Sequence, residues 1–90
     1  MSQAIVDPGD VRRFAGQLRH FNTELLTQLS GLNKQFQALG TTWRDQEQQK
    51  FAAEFTQLMQ TFNRFAQHSE LYVPFLMRKA ERIEEYLNQR

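Results

Sequence analysis

His20 and His68 are the only imidazoles in this sequence, and it contains no cysteine. A di-metal site in a helical bundle needs Glu-x-x-His, and a zincin needs His-x-x-x-His; neither spacing occurs, so no metal site is expected. His20 reads instead as one half of an i,i+4 surface pair with Glu24. There is no thiol nucleophile, no Gly-rich phosphate loop, no Gly-x-Ser-x-Gly elbow and no dinucleotide fingerprint. The remaining groups fit for acid–base work, Glu81, Glu84 and Glu85, alternate with Arg78, Lys79 and Arg82 as a solvated helix face does. No catalytic residue, cofactor or small-molecule substrate follows from this inventory, and the expectation is a protein that is not an enzyme.

Ninety residues allow one domain, 1–90, with a core too small to be strongly stable alone. Eleven Lys plus Arg against ten Asp plus Glu give a net charge of +1, which offers nucleic acid no footprint. The longest apolar run, Leu71 to Met77, is broken by Pro74 and falls far short of the ~20 residues a membrane span needs. Met1 to Asp10 lack the basic and apolar regions of a secretory signal peptide.

Periodicity supplies the architecture. Asp7-Pro8-Gly9-Asp10 reads as a helix start, with Asp7 as N-cap and Pro8 in the first turn. Val11, Leu18, Leu25, Leu32 and Leu39 then recur every seventh residue, with Phe14, Phe21, Leu29 and Phe36 as second apolar positions. Gly40 reads as a left-handed C-terminal cap, and Thr41 and Thr42 as the next N-cap. A second helix carries Phe51, Phe55, Leu58, Phe62, Phe65, Tyr72, Leu76, Ile83 and Leu87 at summed threes and fours. The expected fold is all-α: an antiparallel helix-turn-helix hairpin with helices about 8–39 and 43–88, the second kinked or broken near Pro74. Gly16 and Gly31 interrupt the first helix on its polar side, at about 1 kcal/mol each relative to Ala.

The apolar arc of the first helix spans roughly 140°, more than one neighbouring helix covers. Leu26 and Leu29 on the first helix, and Met59, Ala66, Val73 and Met77 on the second, form a further face on one side. Two hairpins stacked there would make a four-helix bundle, with Leu25, Leu26, Leu29, Phe36, Phe55, Met59 and Phe62 as the expected dimer interface. Trp43, the only tryptophan, falls just after the turn, where a large ring with one polar N–H can plug the end of a bundle or anchor a contact.

The run Leu39-Gly40-Thr41-Thr42-Trp43-Arg44-Asp45, with Phe51 eight positions beyond the tryptophan, resembles the central signature of the WXG family of small type VII secretion substrates. The resemblance covers nearly the whole chain. It departs from the family in two places. The glycine two residues after the tryptophan is Asp45, which is expected to cap the second helix instead. The C-terminal Tyr-x-x-x-Asp/Glu is absent, since Tyr86 is followed four residues later by Arg90, and Tyr72 by Leu76. The resemblance implies a homodimer, or a heterodimer with a paralogue, that is secreted without a cleavable signal peptide or escorts an exported partner, with the secretion machinery as a further partner. Leu39, Gly40, Trp43, Asp45 and Phe51 would form its turn motif and, with the Leu71 to Met77 segment, its contact surfaces. The rival reading is a cytoplasmic structural or regulatory coiled-coil module with no export role.

Overall fold

The computed structural model describes residues 6–89. The readings made on Met1 to Ile5 and on Arg90 lie outside these residues. Two helices make up the fold: α1, Pro8–Leu39, and α2, Gln46–Asn88, packed antiparallel. α1 starts as its sequence dictates, with the Asp7 carboxylate accepting from the Gly9 N–H at 2.8 Å and Pro8 following the cap.

At ~1.5 Å per residue, a helix of 43 residues is about 65 Å long, close to the 68 Å length of the molecule. The other two dimensions are 25 and 17 Å, so the hairpin is two helices wide and one helix thick. Among the described residues there is no second layer, and both broad flanks face solvent.

The seam between the helices follows a heptad. With Ala15 taken as position a, α1 presents Ala15, Asn22, Leu29 and Phe36 at a, and Val11, Leu18 and Leu25 at d. α2 presents Met59, Ala66, Val73 and Ala80 at a, and Phe55, Ser69, Leu76 and Ile83 at d. Every buried residue among those described sits at one of these two positions: Ala15, Asn22, Leu29, Ala66, Ser69, Val73 and Ala80. Most are small. Ala15, Ala66 and Ala80 are at most 1% exposed, which lets the backbones approach closely there, while Phe36 and Phe55 bring rings into the seam near the turn.

The structure corrects three details of the sequence reading. α2 starts at Gln46 rather than 43, because residues 40–45 are taken up by the turn. Gly40 has φ −64° and is right-handed, so no left-handed cap closes α1. That end is closed by N–H groups bonding backwards, from Gly40 to the Phe36 carbonyl, from Thr41 to Ala38, and from Thr42 and Trp43 to Leu39. The Thr41 hydroxyl adds a bond to the Ala38 carbonyl at 2.8 Å. Finally, α2 is not broken at Pro74. The ring removes one donor, at a cost of about 3 kcal/mol, but Val73 and Ala80 are held against α1 on either side and the helix runs through.

A Cβ placed on Gly16 or Gly31 would meet nothing within 4 Å, so neither glycine is required by packing. Gly31→Ala should therefore raise stability by about 1 kcal/mol, by removing the backbone entropy cost. Ala66→Leu should lower it by about 1–3 kcal/mol through overpacking of the seam, while Ala53→Leu on the exposed side leaves it unchanged. Thermal melts followed by circular dichroism check all three.

Candidate contact surfaces

The two flanks beside the seam differ in chemistry. On one flank lie the e positions: Arg12, Arg19, Leu26 and Asn33 of α1 face Thr56, Asn63, Glu70, Met77 and Glu84 of α2. This flank is laced by polar bonds. The Arg12 guanidinium binds both carboxylate oxygens of Glu84 in a fork, with Nη1 to Oε2 at 2.5 Å. Glu70 accepts from Asn22 Nδ2 at 2.9 Å and from Arg19 Nε at 3.4 Å. Asn22 is 2% exposed at a position of the seam, and its Oδ1 takes no hydrogen bond among the described residues. A polar side chain there favours the one register that brings Glu70 within reach.

The opposite flank carries the g positions: Phe14 and Phe21 of α1, and Phe51, Leu58, Phe65 and Tyr72 of α2. Each is 42 to 59% exposed, although Phe21 and Phe65 meet edge to face across the hairpin, ring centres 6.3 Å apart. Leu32, Leu39 and Phe62, at d positions leaning to the same side, are exposed as well. From Phe51 to Tyr72 of α2 this flank is an aromatic and aliphatic strip, with Gln28 and Gln35 as its g residues on the turn half of α1 and Lys79 as the next g residue of α2.

At the turn the same strip closes into a cluster of rings. Trp43 lies 6.0 Å from Phe51, Phe51 lies 5.7 Å from Phe36 and 5.8 Å from Phe55, and Phe36 lies 4.6 Å from Phe55. Trp43 is half-buried and is held through its backbone N–H to Leu39 at 3.0 Å. The Arg44 Nε donates to the Gly40 carbonyl at 3.0 Å, and the Asp45 carboxylate accepts from the Gln48 N–H at 2.9 Å as the N-cap of α2. The turn-motif residues Leu39, Gly40, Trp43, Asp45 and Phe51 are thus brought to one end of the molecule.

The seven residues proposed for the dimer interface are divided. Leu29 is buried, and Leu25, Phe36, Phe55 and Met59 are half-buried in the hairpin's own seam. Leu26 and Phe62 remain exposed, but on opposite flanks. Of the further face expected from the sequence, Leu29, Met59, Ala66 and Val73 fill a positions of the seam, while Leu26 and Met77 stay exposed at e positions. Sequence reasoning placed Phe14, Phe21, Leu58 and Phe65 in the seam and passed over Ala15, Asn22, Ser69 and Ala80. The signal was present: the small residues repeat every seventh position as faithfully as the large ones. It also assigned Glu84 to a solvated face, where it instead pairs with Arg12 from α1. The expected His20–Glu24 pair does not form among the described residues, whose ion pairs are Arg12–Glu84, Arg13–Asp10 and Arg19–Glu70.

Among the described residues no three His, Asp or Glu side chains gather as metal ligands, and neither helix is long and apolar enough to cross a membrane.

Comparison with known proteins agrees with the geometry. The family model WXG100, described as proteins of 100 residues with WXG, matches residues 3–88. Crystal structures of the secreted protein EsxB from Bacillus anthracis str. Sterne have the same fold. A mutant form superposes with a TM-score of 0.76 at 26% identity, covering 94% of this chain and 98% of that one. The wild-type protein gives 0.76 at 25% identity, covering 93% and 97%. No curated protein matches the chain.

The hydrogen-bonded Arg12 guanidinium holds the Glu84 carboxyl below the usual glutamate range. Its folded pKa is therefore lower than its unfolded one. The pair contributes stability above the ordinary glutamate range, and that contribution is lost as pH falls through the depressed value. Glu84→Gln should remove this component, so that the variant's melting temperature falls less than the wild type's on acidification below about pH 5. At the turn, Asp45→Ala should cost about 1 kcal/mol by leaving the Gln48 N–H without its acceptor, measured by denaturant unfolding.

Proposed function

The chain belongs to the WXG100 family, and on that premise we propose that it is a small type VII secretion protein, acting by protein contact rather than catalysis and working as a dimer. In this reading it leaves the cell folded with its partner, or escorts a partner that does, without a cleavable signal peptide.

The observation that carries the proposal is the asymmetry of the two flanks. The e flank is satisfied within the chain by Arg12–Glu84 and Arg19–Glu70. The g flank exposes aromatic rings in a hairpin one helix thick, and none of the described residues covers them. An exposed apolar strip of this length is characteristic of an association surface. Stacking a second hairpin on it gives a four-helix bundle whose new core is built from Phe14, Phe21, Leu58, Phe62 and Phe65. Relative to the expectation from sequence, the partner-facing surface moves to the aromatic flank and keeps Phe62 as a shared member. The partner is a second copy or a paralogue with the same strip. Trp43 and Phe51 stand at the end of this flank, where they meet the partner's helix ends.

Sedimentation equilibrium should give twice the 10.7 kDa mass of the chain. Phe65→Glu should yield a helical monomer, because an unpaired charge cannot be buried between two hairpins. Leu26→Glu, on the ion-paired flank, should leave the dimer intact. A wild type that stays monomeric at micromolar concentration with and without paralogues from its host, or a dimer broken by Leu26→Glu and not by Phe65→Glu, would refute the assignment. The export part is tested separately, by fractionating the host after secretion is induced: protein confined to the cytosol, together with its partner, removes it.

A further inference from the structure

A third surface lies on the side of α2 turned away from α1. Arg64, His68, Leu71, Phe75, Arg78 and Arg82 follow one another at spacings of four, three, four, three and four, so they form a single straight stripe at the c and f positions. All six are exposed. Leu71 is 70% exposed, more than any other large apolar side chain among the described residues. With Phe75 it borders a shallow hollow of about 480 Å³, and Phe75 is steadied edge to face by Tyr72, ring centres 6.2 Å apart.

The charges on this stripe are all of one sign. Arg64 flanks the apolar centre on one side, Arg78 and Arg82 on the other, and no carboxylate lies on the stripe between Thr61 and Glu85. None of these three arginines forms an ion pair among the described residues, in contrast to the arginines of α1. The other charged residues of α2 are mostly acidic, Glu47, Lys50, Glu54, Glu70, Lys79, Glu81, Glu84 and Glu85, the last continuing the line beyond Arg82, so a cationic stripe with an apolar centre is a local departure from the rest of the helix.

The geometry points to this stripe as a docking site for an amphipathic helix of a different protein, with apolar side chains at its middle and carboxylates at its ends. The argument is charge complementarity. From Arg64 to Arg82 the stripe runs about 27 Å, or five helical turns, and a helix laid along it can set two apolar residues against Leu71 and Phe75 and acidic residues against the arginines at both ends. A second copy of this chain does not supply that pattern. The outer side of α1 carries Asp10, Arg13, His20, Glu24 and Lys34, which is mixed in sign. An anionic membrane is the other occupant a basic stripe suggests, but surface-lying helices set a wide apolar face beneath flanking cations, and here two apolar residues stand in line with the cations. The stripe points away from the seam and meets the aromatic flank only where Phe75 touches Tyr72, so it stays open in the dimer proposed above and can be occupied with or without it.

The probe is a labelled twenty-residue helical peptide with Leu and Phe on the middle turns and Glu on the outer turns of the same face, titrated with the full chain and followed by fluorescence anisotropy. Binding that weakens as salt is raised is expected, with a matched Lys-ended peptide failing to bind. Arg78→Glu/Arg82→Glu touches exposed, unpaired side chains and should leave the helical spectrum and the mass unchanged. It should weaken the Glu-ended peptide by at least ~10-fold and gain the Lys-ended one. Leu71→Ala/Phe75→Ala should weaken the Glu-ended peptide at every salt concentration. The proposal is overturned if the Glu-ended peptide does not bind, if both peptides bind alike, if the charge reversal changes neither, or if the chain binds vesicles of phosphatidylserine and phosphatidylcholine through these arginines but not the peptide.

Discussion

How close α1 and α2 come together determines where every large side chain goes. Alanines at a positions, with Asn22 at another a and Ser69 at a d, draw the two backbones together over most of the seam, and the phenylalanines that do enter it, Phe36 and Phe55, stand near the turn. The large side chains at the next position round each helix, Phe14, Phe21, Leu58 and Phe65, are then displaced to one edge. A seam of leucines at every a and d position would have stood the helices further apart and hidden more apolar surface inside the hairpin. Tight pairing within the chain and a greasy flank outside it are two consequences of one choice of residue size.

The same choice explains what the sequence disclosed. Two helices, their antiparallel pairing, the Asp7 and Asp45 caps and the turn near Trp43 were legible because they rest on spacing and local hydrogen bonding, which a linear chain displays directly. The faces were less legible. Reading apolar periodicity weights large residues, so Phe14 and Phe65 were drawn into the seam ahead of Ala15 and Ala66, although all four follow the same seven-residue repeat. Which of two adjacent repeats faces the partner helix depends on how near the helices come, and that is set by contacts between residues some fifty positions apart. The Arg12–Glu84 fork is of the same kind: each residue looks solvated on its own helix, and only the antiparallel register brings them together.

The turn is closed by capping and not by a glycine after the tryptophan. Trp-x-Gly uses glycine to reverse the chain, and here Asp45 stands in that place. No residue in the turn adopts a positive φ, and Gly40 is right-handed, so the reversal needs none of glycine's freedom. Backward-reaching N–H groups and the Thr41 and Thr42 hydroxyls close α1, and the Asp45 carboxylate opens α2. The tryptophan is held near Phe51 by capping rather than by backbone flexibility.

Three faces of one slender hairpin thus differ in what they can bind, and α2 carries the decisive residues of all of them. Its a positions hold α1, its g positions form most of the aromatic flank, and its c and f positions form the cationic stripe. Tyr72 stands at the border of the last two, on the aromatic flank by its heptad position and against Phe75 by its ring contact. A partner covering the aromatic flank restricts the Tyr72 ring, and the Tyr72 ring supports one of the two apolar residues of the stripe. On the two proposals made here, pairing of hairpins and capture of an acidic helix would therefore be coupled through that side chain. By reciprocity, whatever advantage the dimer gives to helix binding, helix binding must return to the dimer.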